Sequence, residues 1–334
     1  MLMASAMLLG SCSEWTEPES LDLSTPAFGS EDPEAYAAYL SNLRSWKTTD
    51  HAVVLGLFDN SVSEPTTRAH HVSSLPDSLD FVILGTPALV SWQQEEMHDV
   101  QTRKGTRFLY EIDCRAIEQS WDALQDSADE SISEGVVPGD FATYAAGILE
   151  RSLALCGTYG YDGVLLWYSG RSTLHMTDEE LAEYTARQQA LLEPVESWLS
   201  ETAGAKSLLF GGDPTTLLDK SLLLQAEYIV VETSEATSVD ELTYAVTSCM
   251  GTGIPTGNFV VTVSTAVDSD TDPIGYYGSQ MALPLAAEWV TRPSSTFTRA
   301  GLLIRDIQRD FYNASLIYKH AREAIDTINP SPKN

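Results

Sequence analysis

Hydrophobic and polar positions along the chain follow two alternating rhythms. Short, nearly continuous apolar runs occur at 52–58, 81–84, 107–112, 163–167, 207–210, 228–231, 259–263 and 301–304. Strands buried on both faces read this way, because neither face meets water. Between them lie segments with the three- to four-residue apolar spacing of helices, clearest at 142–155, 178–199 and 239–250. Asp178 and Asp240 supply acidic first turns, which suit the positive end of a helix. A further helix is expected over 32–47, where Leu40, Leu43 and Trp46 recur on one side; Ser30 supplies the N-cap, with Glu31 and Asp32 as the acidic first turn. Strands alternating with helices imply a parallel sheet, and eight of them predict a closed (β/α)8 barrel, a single α/β domain over residues 31–330. The turn after the first strand, Phe58-Asp59-Asn60-Ser61, lacks the GxGxxG pattern of a dinucleotide-binding sheet.

Composition narrows the ligand. At 334 residues and 43% hydrophobic, the chain is long and apolar enough to bury a core. Its net charge of −29, from 48 acidic against 19 basic residues, repels phosphate backbones and excludes nucleic acid as a partner. Neutral ligands such as sugars remain. Cys114, Cys156 and Cys249 sit in apolar or helical neighbourhoods and read as buried small side chains, with at most one disulfide among them. No Cys/His spacing suits zinc, and His70-His71 beside Ala69 and Val72 reads as surface or packing, so neither metal nor cofactor is expected.

Residues 1–10 form an apolar stretch too short to span a bilayer. Leu9-Gly10-Ser11-Cys12 resembles the bacterial lipobox, although no Lys or Arg precedes the apolar run. That resemblance implies a signal peptide over 1–11, lipidation of Cys12 and membrane attachment through the lipid. Residues 12–30, opening Ser13-Glu14-Trp15-Thr16-Glu17-Pro18-Glu19, have tether composition. They resemble the acidic signal of surface lipoproteins in the Bacteroides group, so an outer-membrane, surface-facing position is expected, with a periplasm-facing one as the alternative.

The fourth strand and its approach read Tyr159-Gly160-Tyr161-Asp162-Gly163-Val164-Leu165-Leu166-Trp167-Tyr168-Ser169. This resembles the DGxDxDxE strand of family 18 glycoside hydrolases, the chitinases and endo-N-acetylglucosaminidases. Looser likeness in pattern and spacing extends over residues 40–315. Asp162 and Gly163 match the opening pair. Leu165 and Trp167 stand where the family has carboxylates, and Ser169 where it has the proton-donating Glu. The resemblance further implies a Tyr–Asp pair after the sixth strand, where this chain has Glu232-Thr233, and a Trp ending the eighth, where it has Arg305-Asp306. Hydrolysis in that family needs the Glu as acid and an Asp to orient the substrate's acetamido group; Ser, Leu and Trp do neither.

The expectation is therefore a glycan-binding lipoprotein with no catalytic residue of its own, taking N-acetylglucosamine-containing oligosaccharide for partner glycan-processing enzymes or transporter components. Candidate contacts are aromatics near strand ends (Trp92, Trp167, Tyr168, and Tyr276 and Tyr277 in the loop 275–278) and the carboxylates Asp59, Glu111 and Glu232. Trp121 and Trp198 lie in helical segments and read as core; Trp289, between the seventh and eighth strands, is either a further contact or packed in a helix. Two alternatives differ in class. In one, Asp59, Glu111, Asp113 and Glu232 converge as relocated catalytic acids. In the other, the barrel top is covered by a protein partner.

Overall fold

A computed structural model describes residues 32–130, 139–266 and 274–330, so the lipobox, the tether, Ser30 and Glu31 lie outside the described residues. By packing, the chain divides into Met1–Asn42 and Leu43–Asn334, and the whole barrel lies in the second unit. Helix α1 spans Pro33–Lys47, and Asp32 Oδ1 accepts the Ala35 N–H at 2.9 Å at its start.

Eight parallel strands close into a barrel: β1 (Val53–Phe58), β2 (Phe81–Leu84), β3 (Arg107–Asp113), β4 (Gly163–Ser169), β5 (Ser207–Asp213), β6 (Tyr228–Val231), β7 (Phe259–Ser264) and, after a hairpin of β8 (Tyr276–Tyr277) and β9 (Gln280–Met281), β10 (Arg299–Arg305), which returns to β1. The helices α2 (Ser91–Lys104), α3 (Cys114–Glu130), α4 (Phe141–Tyr159), α5 (Asp178–Glu201), α6 (Val239–Ser248), α7 (Ala282–Thr291) and α8 (Lys319–Ile328) follow their strands. The expected (β/α)8 architecture is the observed one. Side chains alternate across each strand. One set, including Leu55, Ile83, Leu109, Leu165, Leu209 and Leu303, fills the barrel interior. The other, including Phe58, Phe108, Leu166 and Phe210, packs with the helices.

Two differences from the expected elements have physical causes. Strands β3, β4 and β5 run one to three residues past their apolar runs, to Asp113, Ser169 and Asp213. Backbone pairing continues where the side chains turn polar, as in Asp113↔Trp167 and Ser169↔Asp213. The segment expected as a loop at 275–278 begins an antiparallel hairpin, with Tyr276 opposite Met281 and left-handed Gly275 and Gly278 bracketing the first strand.

The Tyr-Gly-Tyr-Asp-Gly segment is a structural junction at the opposite end of the barrel from Ser169. Gly160, at φ 80°, ends α4 by returning its N–H to Cys156 O. Tyr161 is fully buried and its hydroxyl donates to Pro87 O at 3.0 Å. Asp162 Oδ2 accepts both Phe108 N–H and Gln101 Nε2–H at 2.8 Å, tying β4 to β3 and α2. Any Cβ on Gly163 would lie 2.0 Å from Ser207 O. Cys114, Cys156 and Cys249 are buried and unbridged, and burial pushes the Cys156 thiol up to about 11. His71 packs on Trp92 with ring centroids 5.1 Å apart. Among the described residues no helix is long and apolar enough to cross a membrane.

Candidate functional site

At the C-terminal ends of the strands, where barrels of this type place their ligand sites, Leu165, Trp167 and Ser169 share the inward face of β4. Leu165 is sealed in the interior, and Trp167 caps that apolar cluster from above. Trp167 pairs in register with Gly211 on β5, and a Cβ there would lie 2.4 Å from the indole Cε3. Only glycine leaves room for the ring.

The indole is fixed on two further sides. Its Nε1–H donates to Glu111 Oε1 at 2.7 Å, and the Arg305 guanidinium carbon stands 5.8 Å from the ring centroid. Arg305 in turn donates to Glu232 Oε2 at 2.7 Å. Glu232 Oε1 accepts the Ser234 N–H at 2.9 Å and the Thr262 hydroxyl at 2.7 Å. These groups line a cavity of about 370 Å³, with Asp113, Arg115 and the exposed Ser169 at its rim.

The two buried-side carboxylates are pushed in opposite directions. Burial raises the Glu111 carboxyl, and the Trp167 hydrogen bond and Arg305 only partly offset it. Burial pushes Glu232 up as well, but Arg305, Ser234 and Thr262 outweigh it and hold Glu232 below the usual carboxylate range. Ser169 Oγ accepts the Asp213 N–H at 3.2 Å; a hydroxyl there has no useful acidity for protonating a leaving group. No cluster of His, Cys, Asp and Glu suited to a metal occurs among the described residues.

Of the residues expected from sequence, Glu111, Asp113, Trp167 and Glu232 converge in this cavity, and Tyr168 also borders it. Asp59 ends β1 but lines a neighbouring cavity, and Tyr276 lines a third. Trp92 donates its indole N–H to Ser63 O at 2.8 Å, in a packing position. Tyr168 faces the helix layer, 4% exposed, its hydroxyl bonded to Tyr184 at 3.2 Å and Gln188 at 2.8 Å. Tyr277 is buried in the outer core. Trp121 is buried in a helix, as expected, and Trp289, open between contact and packing in the sequence, is buried in one too. Arg305 and Arg115 were not among the sequence candidates. The signal for Arg305 was a lone cation ending the last barrel strand of a strongly acidic chain.

The fold is a closed (β/α)8 barrel whose candidate site lies at the C-terminal mouth. Residues 16–327 match the model of glycoside hydrolase family 18, BT1044-like, and the chain belongs to that family. Solved structures agree on the fold. A selenomethionine Glu-to-Gln variant of BT1044 superposes with a TM-score of 0.65 at 16% identity, covering 90% of this chain and 95% of that one. An endo-β-N-acetylglucosaminidase from Cordyceps militaris gives 0.58 at 16%, covering 88% and 96%. A chitinase from Bacteroides thetaiotaomicron gives 0.53 at 10%, covering 84% and 97%. No curated protein sequence matches the chain.

Proposed function

We propose that this protein holds a neutral, N-acetylglucosamine-containing glycan at the barrel mouth without hydrolysing it. The observation that carries the reading is β4 itself: its inward face presents Leu165, Trp167 and Ser169, an apolar plug, an aromatic platform and a hydroxyl, with no carboxylate. Sugar rings stack their C–H faces on flat aromatic surfaces, and Trp167 is held for that purpose by Gly211, Glu111 and Arg305. The ligand class is supported by the family and by one neighbour, a doubly substituted form of the Cordyceps enzyme in complex with fucosyl-N-acetylglucosamine-Asn. Leu9-Gly10-Ser11-Cys12 supports attachment as a surface lipoprotein, serving a glycan-uptake system.

A glycan array followed by calorimetric titration tests the reading. Wild type should bind chitin fragments or N-glycans. Trp167→Ala, once circular dichroism shows it folded, should bind roughly five- to 150-fold more weakly, a loss of about 1 to 3 kcal/mol. Equal affinities in the two proteins would refute the site. In cell fractions, Cys12→Ala should move the protein from membrane to soluble material; unchanged partitioning refutes the anchor.

One observation favours a second reading, residual hydrolysis by relocated acids. Glu111 is raised and Glu232 lowered within one cavity, the division an acid and its partner require. Against it, Glu111 is engaged by Trp167 and Glu232 by Arg305. Incubation with chitooligosaccharides and N-glycans decides: no product is expected, and turnover lost in both Glu111→Gln and Glu232→Gln would establish the second reading instead.

A further inference from the structure

The end of the barrel opposite Ser169 holds a cavity of about 620 Å³. Arg44 and Lys47, at the C-terminal end of α1, both line it, beside Val53, Arg107 and Tyr228 at the starts of β1, β3 and β6. Residues three apart on a helix share a face, so the guanidinium and the amine stand on the same side of the cavity.

Most of the charge here is matched. Arg107 grips Glu227 through two bonds, at 2.7 and 2.8 Å, and His51 Nε2 meets Asp80 Oδ1 at 3.0 Å. Asp50 is exposed to solvent. Arg44 is exposed as well and donates one N–H to Arg103 O at 2.7 Å. Among the described residues Arg44 forms no ion pair, so its remaining donors are open to an anion.

Lys47 is held without a carboxylate. Its Nζ donates to Leu79 O at 2.6 Å and to Thr106 Oγ1 at 2.7 Å, and the Thr106 hydroxyl donates in turn to Leu79 O at 3.0 Å. Two acceptors satisfy the two N–H bonds of a neutral amine and leave its lone pair unengaged. The third proton of an ammonium finds no acceptor among the described residues. Burial pushes Lys47 down to about 8, aided by Lys104 and against the attraction of Asp80 and Asp77. At pH 7.5 about a quarter of such amines are neutral, against about 0.1% for an ordinary lysine near 10.4.

We infer that Lys47 is a covalent capture site for small carbonyl compounds that carry a carboxylate, the α-oxo acids, with Arg44 holding the carboxylate. The neutral Nζ adds to the carbonyl carbon, and one N–H proton moves to the carbonyl oxygen to give a carbinolamine. The hydroxyl then leaves as water with the second N–H proton, and a C=N bond joins Nζ to the ligand. Hydrolysis reverses the capture, and no oxidant or reductant takes part.

Glyoxylate with cyanoborohydride, which reduces the C=N bond to a stable carboxymethyl amine, tests the inference on the full chain, with peptide mass mapping of its six lysines. At pH 7.5 Lys47 should be modified at least about tenfold faster than any other lysine, by virtue of its larger neutral fraction. Its rate should level off above pH 8, while those of ordinary lysines climb to pH 10 and beyond. Arg44→Ala, once circular dichroism shows it folded, should slow the capture of glyoxylate about tenfold and leave unchanged that of propanal, which has no carboxylate to hold. Lys47→Arg should lose the selective adduct. Adducts spread evenly over the lysines of wild type, or a Lys47 rate that keeps rising past pH 10, would overturn the capture site. Equal rates for glyoxylate with and without Arg44, or an equal loss for both aldehydes, would overturn the assignment to oxo acids.

Discussion

Glu111 and Trp167 are diagonal neighbours on β3 and β4. In register Glu111 faces Leu165 and Trp167 faces Asp113, yet the indole N–H reaches Glu111 Oε1 at 2.7 Å. Diagonal positions on one face of a sheet are within reach of long aromatic side chains. Glu111 is thus committed to orienting the Trp167 ring from the neighbouring strand.

This arrangement has a pH signature. The Glu111 carboxyl is raised, so between the unfolded value of about 4.3 and its folded value the native state holds a proton that the unfolded chain has released. Stability from this group therefore falls as pH rises through that window and is level above it. Glu111→Gln removes the titration and keeps an acceptor for the indole. Denaturant unfolding from pH 4 to 8 should show the variant gaining on wild type across the window. A constant difference between the two would contradict the placement.

The retained half of the family motif is structural. Asp162→Ala leaves Phe108 N–H and Gln101 Nε2–H without their carboxylate, at a cost of about 1 to 3 kcal/mol for each donor left unpaired. Gly163→Ala drives a Cβ into Ser207 O, and its cost should exceed about 4 kcal/mol, preventing folding at moderate temperature. Thermal melts check both. Folded Asp162→Ala should bind glycan like wild type; weakened binding at full occupancy of the folded state would place Asp162 in the site after all.

Much of this was legible in the sequence, for reasons that also explain what was not. Strands buried on both faces leave continuous apolar runs, so the barrel and its eight strands could be read directly. The runs end before the strands do, because pairing persists through polar residues such as Asp113 and Ser169. Glu111, Trp167 and Glu232 stood out because they end strands. Tyr168 borders the same cavity, but successive strand residues point to opposite faces, and its hydroxyl lies in the helix layer against Tyr184 and Gln188. Arg305 carries no sequence signal beyond its charge at the end of the last strand, where the resemblance implies a Trp.

At the lower end of the barrel His51 is bonded to Asp80. His51 Nε2 and Nδ1 face two acceptors, Asp80 Oδ1 at 3.0 Å and Thr49 O at 2.8 Å, which a doubly protonated ring satisfies. Asp80 Oδ2 also accepts the Val54 N–H at 2.8 Å, so the pair anchors the start of β1. Its bond to Asp80 raises His51 above 6.5 despite burial. A raised histidine stabilises the fold fully below its unfolded value and loses that contribution as pH rises through the folded value. The stability difference between wild type and His51→Ala should shrink as pH climbs from 6 through that value. A difference that widens on alkalinisation would reverse the assignment.

The last prediction separates Trp167 as platform from Trp167 as filler. Gly211→Ala touches no ligand in the proposed site, but its Cβ falls 2.4 Å from the indole Cε3 and 2.6 Å from Cδ2. The ring must leave its present seat between Gly211, Glu111 and Arg305, because the apolar cluster beneath it is closed. Overpacking of this kind costs about 1 to 3 kcal/mol, which leaves a folded protein. If Trp167 is a sugar platform, displacing it should weaken glycan binding about as much as removing it does, roughly five- to 150-fold. Tryptophan fluorescence should shift as the indole loses its partner at Glu111, giving an independent sign that the ring has moved. A shifted fluorescence with unchanged affinity would mean that the ring fills the barrel mouth and the sugar sits elsewhere.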